Sequence, residues 1–128
     1  MHTTEATAKL VMTPEVLGIV PTAPLEVALR MMAEAGVRHL PVVDRGWCIG
    51  LLHESDVLWR LWSTAATVPP LVRAVARRPV VAVGVSADVR EMARSMVDAE
   101  TDAAVVTDNG QIVGIVTATD LLRRLAAD

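Results

Sequence analysis

The chain has 128 residues, 52% of them hydrophobic but only 2% aromatic, with no Phe or Tyr, and a formal net charge of −3. That length suffices for one domain with a real core, which must be built from Val, Leu, Ile, Ala and Met. The mild, scattered charge lacks the basic stripe of a nucleic-acid footprint, and the single cysteine, Cys48, excludes an internal disulfide and fits a reducing compartment.

The N-terminal stretch MHTTEATAKL does not pair a basic region with an apolar core, as a signal peptide would. No run reaches the length of a membrane span, so a soluble cytoplasmic protein is expected. Further on, LGIV at 17–20 reads as a short strand. The segment PLEVALRMMAEAG predicts a helix from Pro24, because Leu25, Ala28, Leu29 and Met32 share one face at helical spacing. Thr22 is its candidate N-cap and Gly36 its stop. HLPVVDRGWCIGLL predicts a hairpin, with strands at 39–43 and 47–52 around Asp44-Arg45-Gly46, and the helix ESDVLWRLWS follows.

After TVPPLVRAVARRP (67–79), read as a linker, the same order begins again. VVAV at 80–83 is a strand. A helix from Asp88 aligns Val89, Met92, Ala93 and Met96, with Ser86 as candidate cap. Strands at 103–107 and 111–116 flank Asp108-Asn109-Gly110, and Asn-Gly between aliphatic runs is a strong hairpin signal. ATDLLRRLAA is the closing helix.

Laying residue i on residue i+64 makes the repetition explicit without a gap. Arg30 meets Arg94, Met32 meets Met96, Val42 meets Val106 and Asp44 meets Asp108. Gly46 then meets Gly110, Gly50 meets Gly114, and Asp56 meets Asp120. The expected fold is therefore α/β: two β-α-β-β-α repeats, 1–66 and 80–128, packed sheet to sheet with pseudo-two-fold symmetry. One such repeat is marginal alone, and the junction of two creates clefts suited to a ligand.

The residues that carry a family resemblance are VMTPEVLGIVPTAPL (11–25), GVRHLPVVDRG (36–46) and GLLHESDVL (50–58), then VVAVGVSADV (80–89) and AAVVTDNGQIVGIVTATDLL (103–122). Together they closely resemble a tandem pair of CBS domains (cystathionine β-synthase domains), a Bateman module. The resemblance implies a regulatory sensor whose clefts bind an adenosyl compound such as AMP, ADP, ATP or S-adenosylmethionine and which signals to a partner protein. The alternative is a ligand-free dimerisation or interaction module. No enzyme is expected, since no Walker loop, Rossmann fingerprint or catalytic triad can be argued from these positions.

In GIVTATD, Thr117 and Asp120 have the spacing of a capping box. In matching motifs of the family the aspartate accepts the ribose diol and the hydroxyl contacts ribose or phosphate. A carboxylate suits a vicinal diol because its two oxygens can take both hydroxyls, and a helix N-terminus offers free amides to a phosphate. GLLHESD keeps Asp56 but replaces the hydroxyl with His53, which either narrows the site or donates to a phosphate. The resemblance places Arg38 and His39 at phosphate-contacting positions, where the second copy has Asp102 and Ala103. Arg77 and Arg78 could compensate. It also places an adenine slot along Leu17, Gly18, Val81 and Ala82, with Pro41 and Val105, each of which could equally be core.

No metal site is expected. His39, His53 and Cys48 form no close spacing in sequence, although sensing of a metal or of redox state through them stays as a minor alternative. Trp59 and Trp62, with Met31 and Met32, point to a homodimer, because five apolar residues in six along ESDVLWRLWS cover more than one helix face.

Overall fold

The computed structural model describes residues 6–14, 16–63 and 68–127. In chain order the elements are α1 (Ala8–Val11), β1 (Thr13–Pro14), α2 (Leu25–Ala35), β2 (His39–Asp44), β3 (Trp47–His53) and α3 (Glu54–Ser63). A 3-10 turn at Val72–Ala74 leads to β4 (Ala82–Gly84), α4 (Val89–Asp98), β5 (Ala103–Asp108), β6 (Gln111–Thr117) and α5 (Ala118–Ala127). The order β-α-β-β-α is present twice, as the sequence predicts. In the first copy the opening strand is reduced to one parallel bridge, Ile19 to Val42. Ile19 N–H donates to the Pro41 carbonyl, and the Ile19 carbonyl accepts from Val43 N–H, both at 2.9 Å.

The two hairpins are alike in detail. Arg45 and Gly46 have φ of 52° and 84°, and Asn109 and Gly110 have φ of 52° and 79°. Two successive positive φ values make the type I′ turn, whose twist matches that of the flanking strands. Each ladder then shifts register at the same place, between Val42 and Val43 and between Val106 and Thr107.

The helix ends are less uniform. Asp88 caps α4 with a complete capping box: its carboxylate accepts from Glu91 N–H at 2.9 Å, and the Glu91 side chain accepts from Asp88 N–H. Pro24 is the N-cap of α2 and supplies no side-chain bond. Thr22 and Ser86 therefore lie two residues before the caps rather than at them, because each copy stays extended up to Pro24 or Asp88. Gly36 does stop α2, at φ 68°. Its counterpart Glu100 adopts φ 53° without glycine's freedom. In both copies the next amide closes back on the helix, Val37 to Met32 at 3.0 Å and Thr101 to Met96 at 2.9 Å.

The chain divides into two compact units, and they cut across the order of the sequence. One is Leu17–Val80; the other joins the described residues before Leu17 to Val81 and beyond. In the second unit β1 is an edge strand of the sheet β1-β6-β5-β4, with Thr13 opposite Ile115 and Pro14 opposite Gly114. In the first, Arg77 exchanges both backbone bonds with Leu51, at 2.9 and 3.1 Å. Residue 77 is 13 plus 64, and Ile115 is the counterpart of Leu51.

The stretch 67–79 thus differs from a plain linker. Val72 is fully buried, and Val75 and Ala76 pack on the core of the first unit, as Ala8, Val11 and Met12 do in the second.

Each unit has its own aliphatic core. Leu25, Ala28, Met32, Leu40, Val42, Leu52, Val57 and Val72 form one, and Val89, Met92, Met96, Ala104, Val106, Val116 and Leu121 belong to the other. A fully buried Leu or Met contributes about 1.5–3 kcal/mol, so these side chains outweigh any polar contact described below. Met32 belongs to this interior and Met31 packs against it, which removes Met32 from the surface where a dimer contact was expected. The reason is helical spacing: Leu25, Ala28 and Met32 lie on the face turned to the sheet.

Candidate functional site

In the unit containing Asp120, the register sets Ala103 opposite Thr117 and Ala82 opposite Val105. The starts of β4 and β5, the end of β6 and the start of α5 therefore meet at one end of the sheet. Val81, Ala82, Thr117 and Asp120 are brought together there. The Thr117 hydroxyl accepts from Asp120 N–H at 3.2 Å and donates to Asp120 Oδ2 at 3.0 Å. Thr117 N–H also donates to Oδ2, at 2.9 Å. The capping box read from GIVTATD is formed. Its bonds all fall on one carboxylate oxygen, so Oδ1 has no bond partner among the described residues. Val81 is half-buried and Ala82 exposed, whereas Val105 is core.

The equivalent end of the other unit carries Gly18, Arg38, His39, His53 and Asp56. Gly18 is exposed, and a Cβ there would meet Val43 Cγ2 at 2.9 Å, which explains the glycine by close approach. Leu17 is half-exposed, while Pro41 is buried. Arg38 lies in solvent, 4.0 Å from Glu54, with its side chain 83% exposed. At that spacing and exposure the pair adds little.

Asp56 is the main departure from its counterpart. It stands at the third position of α3, yet both its oxygens are taken by Arg77, with Nε donating to Oδ2 at 2.7 Å and Nη2 to Oδ1 at 3.1 Å. The carboxylate that should match Asp120 is thus clasped by a fork from its own unit. Arg77, considered from sequence as a phosphate compensator, is committed to this pair.

The Arg77 hydrogen bond holds the Asp56 carboxyl below its ordinary value of 3.8. A depressed folded-state value stabilises the fold above the unfolded value, and that stabilisation is lost as pH falls through the folded value. Because the two side chains are 43% and 32% exposed, the contribution is the modest one of a surface pair, about 0.2–1 kcal/mol. Arg77→Met should therefore cost about that much at pH 7 in urea titrations, and the difference should shrink progressively as acid protonates the Asp56 carboxyl. A cost that persists unchanged in acid would assign it to packing instead.

His53 is only 4% exposed, which sequence reasoning did not anticipate for a residue beside a ligand. It stands directly opposite His39 across the hairpin, and the ring centroids are 4.7 Å apart at 78°, edge to face. Cys48 is five residues back along β3, and its thiol donates to the Gly50 carbonyl at 3.4 Å. Burial pushes that thiol above its ordinary value. At neutral pH it is a protonated, poorly nucleophilic group, which weakens the redox alternative.

The family model for the CBS domain matches residues 8–63 and again residues 72–127. The chain belongs to the CBS domain family. The two matches are themselves offset by 64 residues, in line with the repeat. Among curated proteins, this CBS pair is 29% identical over 119 residues to the zinc metalloprotease MJ0392 of Methanocaldococcus jannaschii, covering 93% of the chain and 32% of that protein. It is 34% identical over 134 residues to an uncharacterized 33.4 kDa protein in the ribosomal RNA operon of Thermofilum pendens, covering 95% and 44%. The chain therefore spans less than half the length of these relatives.

Among solved structures, the CBS domain pair of protein MJ0100, in complex with 5′-methylthioadenosine and S-adenosyl-L-methionine, has a TM-score of 0.85. It shares 20% identity, over 95% of this chain and 97% of that one, and supports the fold. CBS pairs are regulatory modules rather than catalytic ones in general. No helix among the described residues is long and apolar enough to cross a membrane.

Proposed function

We propose that this CBS pair is a cytoplasmic regulatory sensor that binds an adenosyl compound and reports it to a partner protein, without catalysing a reaction. The observation that carries this reading is the state of Asp120. Its Oδ2 is fixed by Thr117 while Oδ1 stays open, at the start of α5, where the Ala118 amide donates to the Asp102 carbonyl and the Asp120 amide to the Thr117 hydroxyl. A fixed carboxylate with one open oxygen can accept from a ribose hydroxyl, and the positive end of the α5 dipole favours a phosphate or other anionic group nearby. The similar pair from MJ0100, which holds two adenosyl compounds, supports the same ligand class.

A homodimer fits the surface. Trp59 and Trp62 on α3 are 70% and 85% exposed, next to Leu58, and Leu122 and Leu125 on α5 are also open. Burying such side chains is the ordinary driving force for association. The second reading, a ligand-free interaction module, is favoured by the completeness of the Thr117–Asp120 cap, which needs no ligand to be satisfied.

Calorimetry and thermal shift with AMP, ADP, ATP, 5′-methylthioadenosine and S-adenosylmethionine separate the two readings. Ligand at 100 times its dissociation constant should add about 2.7 kcal/mol of stability. If none of the five moves the melting temperature, the interaction module is the better description.

A further inference from the structure

We infer that His39 and His53 form a binding site for a divalent transition-metal ion of the zinc or cobalt type. The two residues are paired across the β2–β3 ladder, so their separation is set by backbone hydrogen bonds and not by flexible loops. Their ring centroids are 4.7 Å apart, and a ring nitrogen from each lies within 4.8 Å of the other. One ion at about 2.0–2.1 Å from each nitrogen can bridge that gap with a small rotation of the rings.

Burial fits the same role. His53 is held almost wholly inside, where its rotamers are restricted, whereas His39 is half-buried and gives an ion a way in. A rigid donor beside an accessible one is the arrangement that pre-organises a site without sealing it. Local charge does not oppose a cation, because the nearby Arg38 guanidinium faces the Glu54 carboxylate. Imidazole is a suitable donor for zinc, cobalt, nickel or copper, and a poor one for magnesium or calcium. Two protein nitrogens fill half of a tetrahedral shell and leave the other positions for water or for an oxygen of a bound anion.

This site belongs to the first repeat alone, since the counterparts of His39 and His53 are Ala103 and Thr117. It also gives a chemical meaning to the replacement of the motif's hydroxyl by histidine. The inference does not rest on nucleotide binding.

The test is titration of the purified, chelator-stripped full chain with Co(II) followed by visible absorption, and with Zn(II) by calorimetry. The expected result is one equivalent bound, with ligand-field bands that Zn(II) quenches. His53→Thr and His39→Ala should each weaken Co(II) binding at least tenfold, while His2→Ala and Cys48→Ser leave it unchanged. His53→Thr installs the residue that already caps α5 in the other repeat, so its fold is expected to survive, and circular dichroism checks this. Binding that is absent in the wild-type chain, or that persists in both histidine variants, overturns the assignment. So does loss of binding on His2→Ala, which would place the ion at the N-terminal segment.

Discussion

Asp120→Ala should weaken binding of an adenosyl ligand by about 10- to 150-fold, whereas Asp56→Ala should change it less than about threefold. The asymmetry follows from what each carboxylate already does. A charge-assisted hydrogen bond to a ligand is worth about 1.5–3 kcal/mol, and each 1.4 kcal/mol is a factor of ten in affinity. Asp120 has an oxygen to offer because both of its bonds to Thr117 use the other one. Asp56 spends both oxygens on Arg77, so a diol arriving there must first displace a bidentate guanidinium.

Alanine at position 120 also removes a helix cap, at a cost of about 1 kcal/mol in stability, so affinity must be compared at temperatures where both variants are folded. Asp120→Asn keeps the size and removes the charge. It should lose most of the affinity while keeping more of the stability. Arg77→Ala completes the logic, since it frees Asp56 and should raise ligand uptake at the first repeat. Calorimetric stoichiometry and affinity for these variants decide the matter. Equal losses from Asp120→Ala and Asp56→Ala would refute the ranking, and a gain on Arg77→Ala would show that the first repeat is held shut by its own arginine.

How much of this was legible in the sequence depends on whether the cause is local. The hairpins were, because Gly46 and Asn109-Gly110 readily take the positive φ of the turns and short aliphatic, β-branched runs flank them. The doubling was also legible, since glycines and aspartates at turns recur in phase. The Thr117–Asp120 cap needs only three residues of chain and formed as read.

What escaped was set by longer-range geometry. Counting outward from the Asp44–Trp47 pair places His39 opposite Leu52; the bulge between Val42 and Val43 moves it to His53. That one-residue shift brings the two histidines face to edge, and a bulge has no firm signature in sequence. The Asp56–Arg77 clasp joins residues 21 apart through a segment too short to show periodicity. For the same reason β1, only two residues long, was not recognised as the edge of the second repeat's sheet.

The glycine that opens each motif has a physical reason that yields the last prediction. A Cβ on Gly114 would come within 2.9 Å of both the Thr13 carbonyl oxygen and Met12 Cγ, because β1 lies directly against β6 at this point. On Gly50 the nearest atoms would be Ala76 Cβ and the Arg77 carbonyl oxygen, both at 3.2 Å. Replacing glycine by alanine in an extended segment gains about 0.4–1 kcal/mol from the unfolded chain, whereas overpacking costs about 1–3 kcal/mol. At Gly50 a shift of a few tenths of an ångström relieves the contact, so Gly50→Ala should lie within about 1 kcal/mol of wild type. At Gly114 a backbone oxygen cannot yield so easily, and Gly114→Ala should destabilise by about 2–3 kcal/mol. Urea denaturation compares the two directly, and amide exchange at residues 8–14 should show that segment loosened only in Gly114→Ala. Adding Met12→Ala supplies the small residue that already stands at position 76 of the first repeat. It should restore part of the lost stability but not all, since the Thr13 oxygen remains. Full rescue would assign the whole cost to the methionine, and equal costs at Gly50 and Gly114 would remove close approach of β1 as the reason for the motif's glycine.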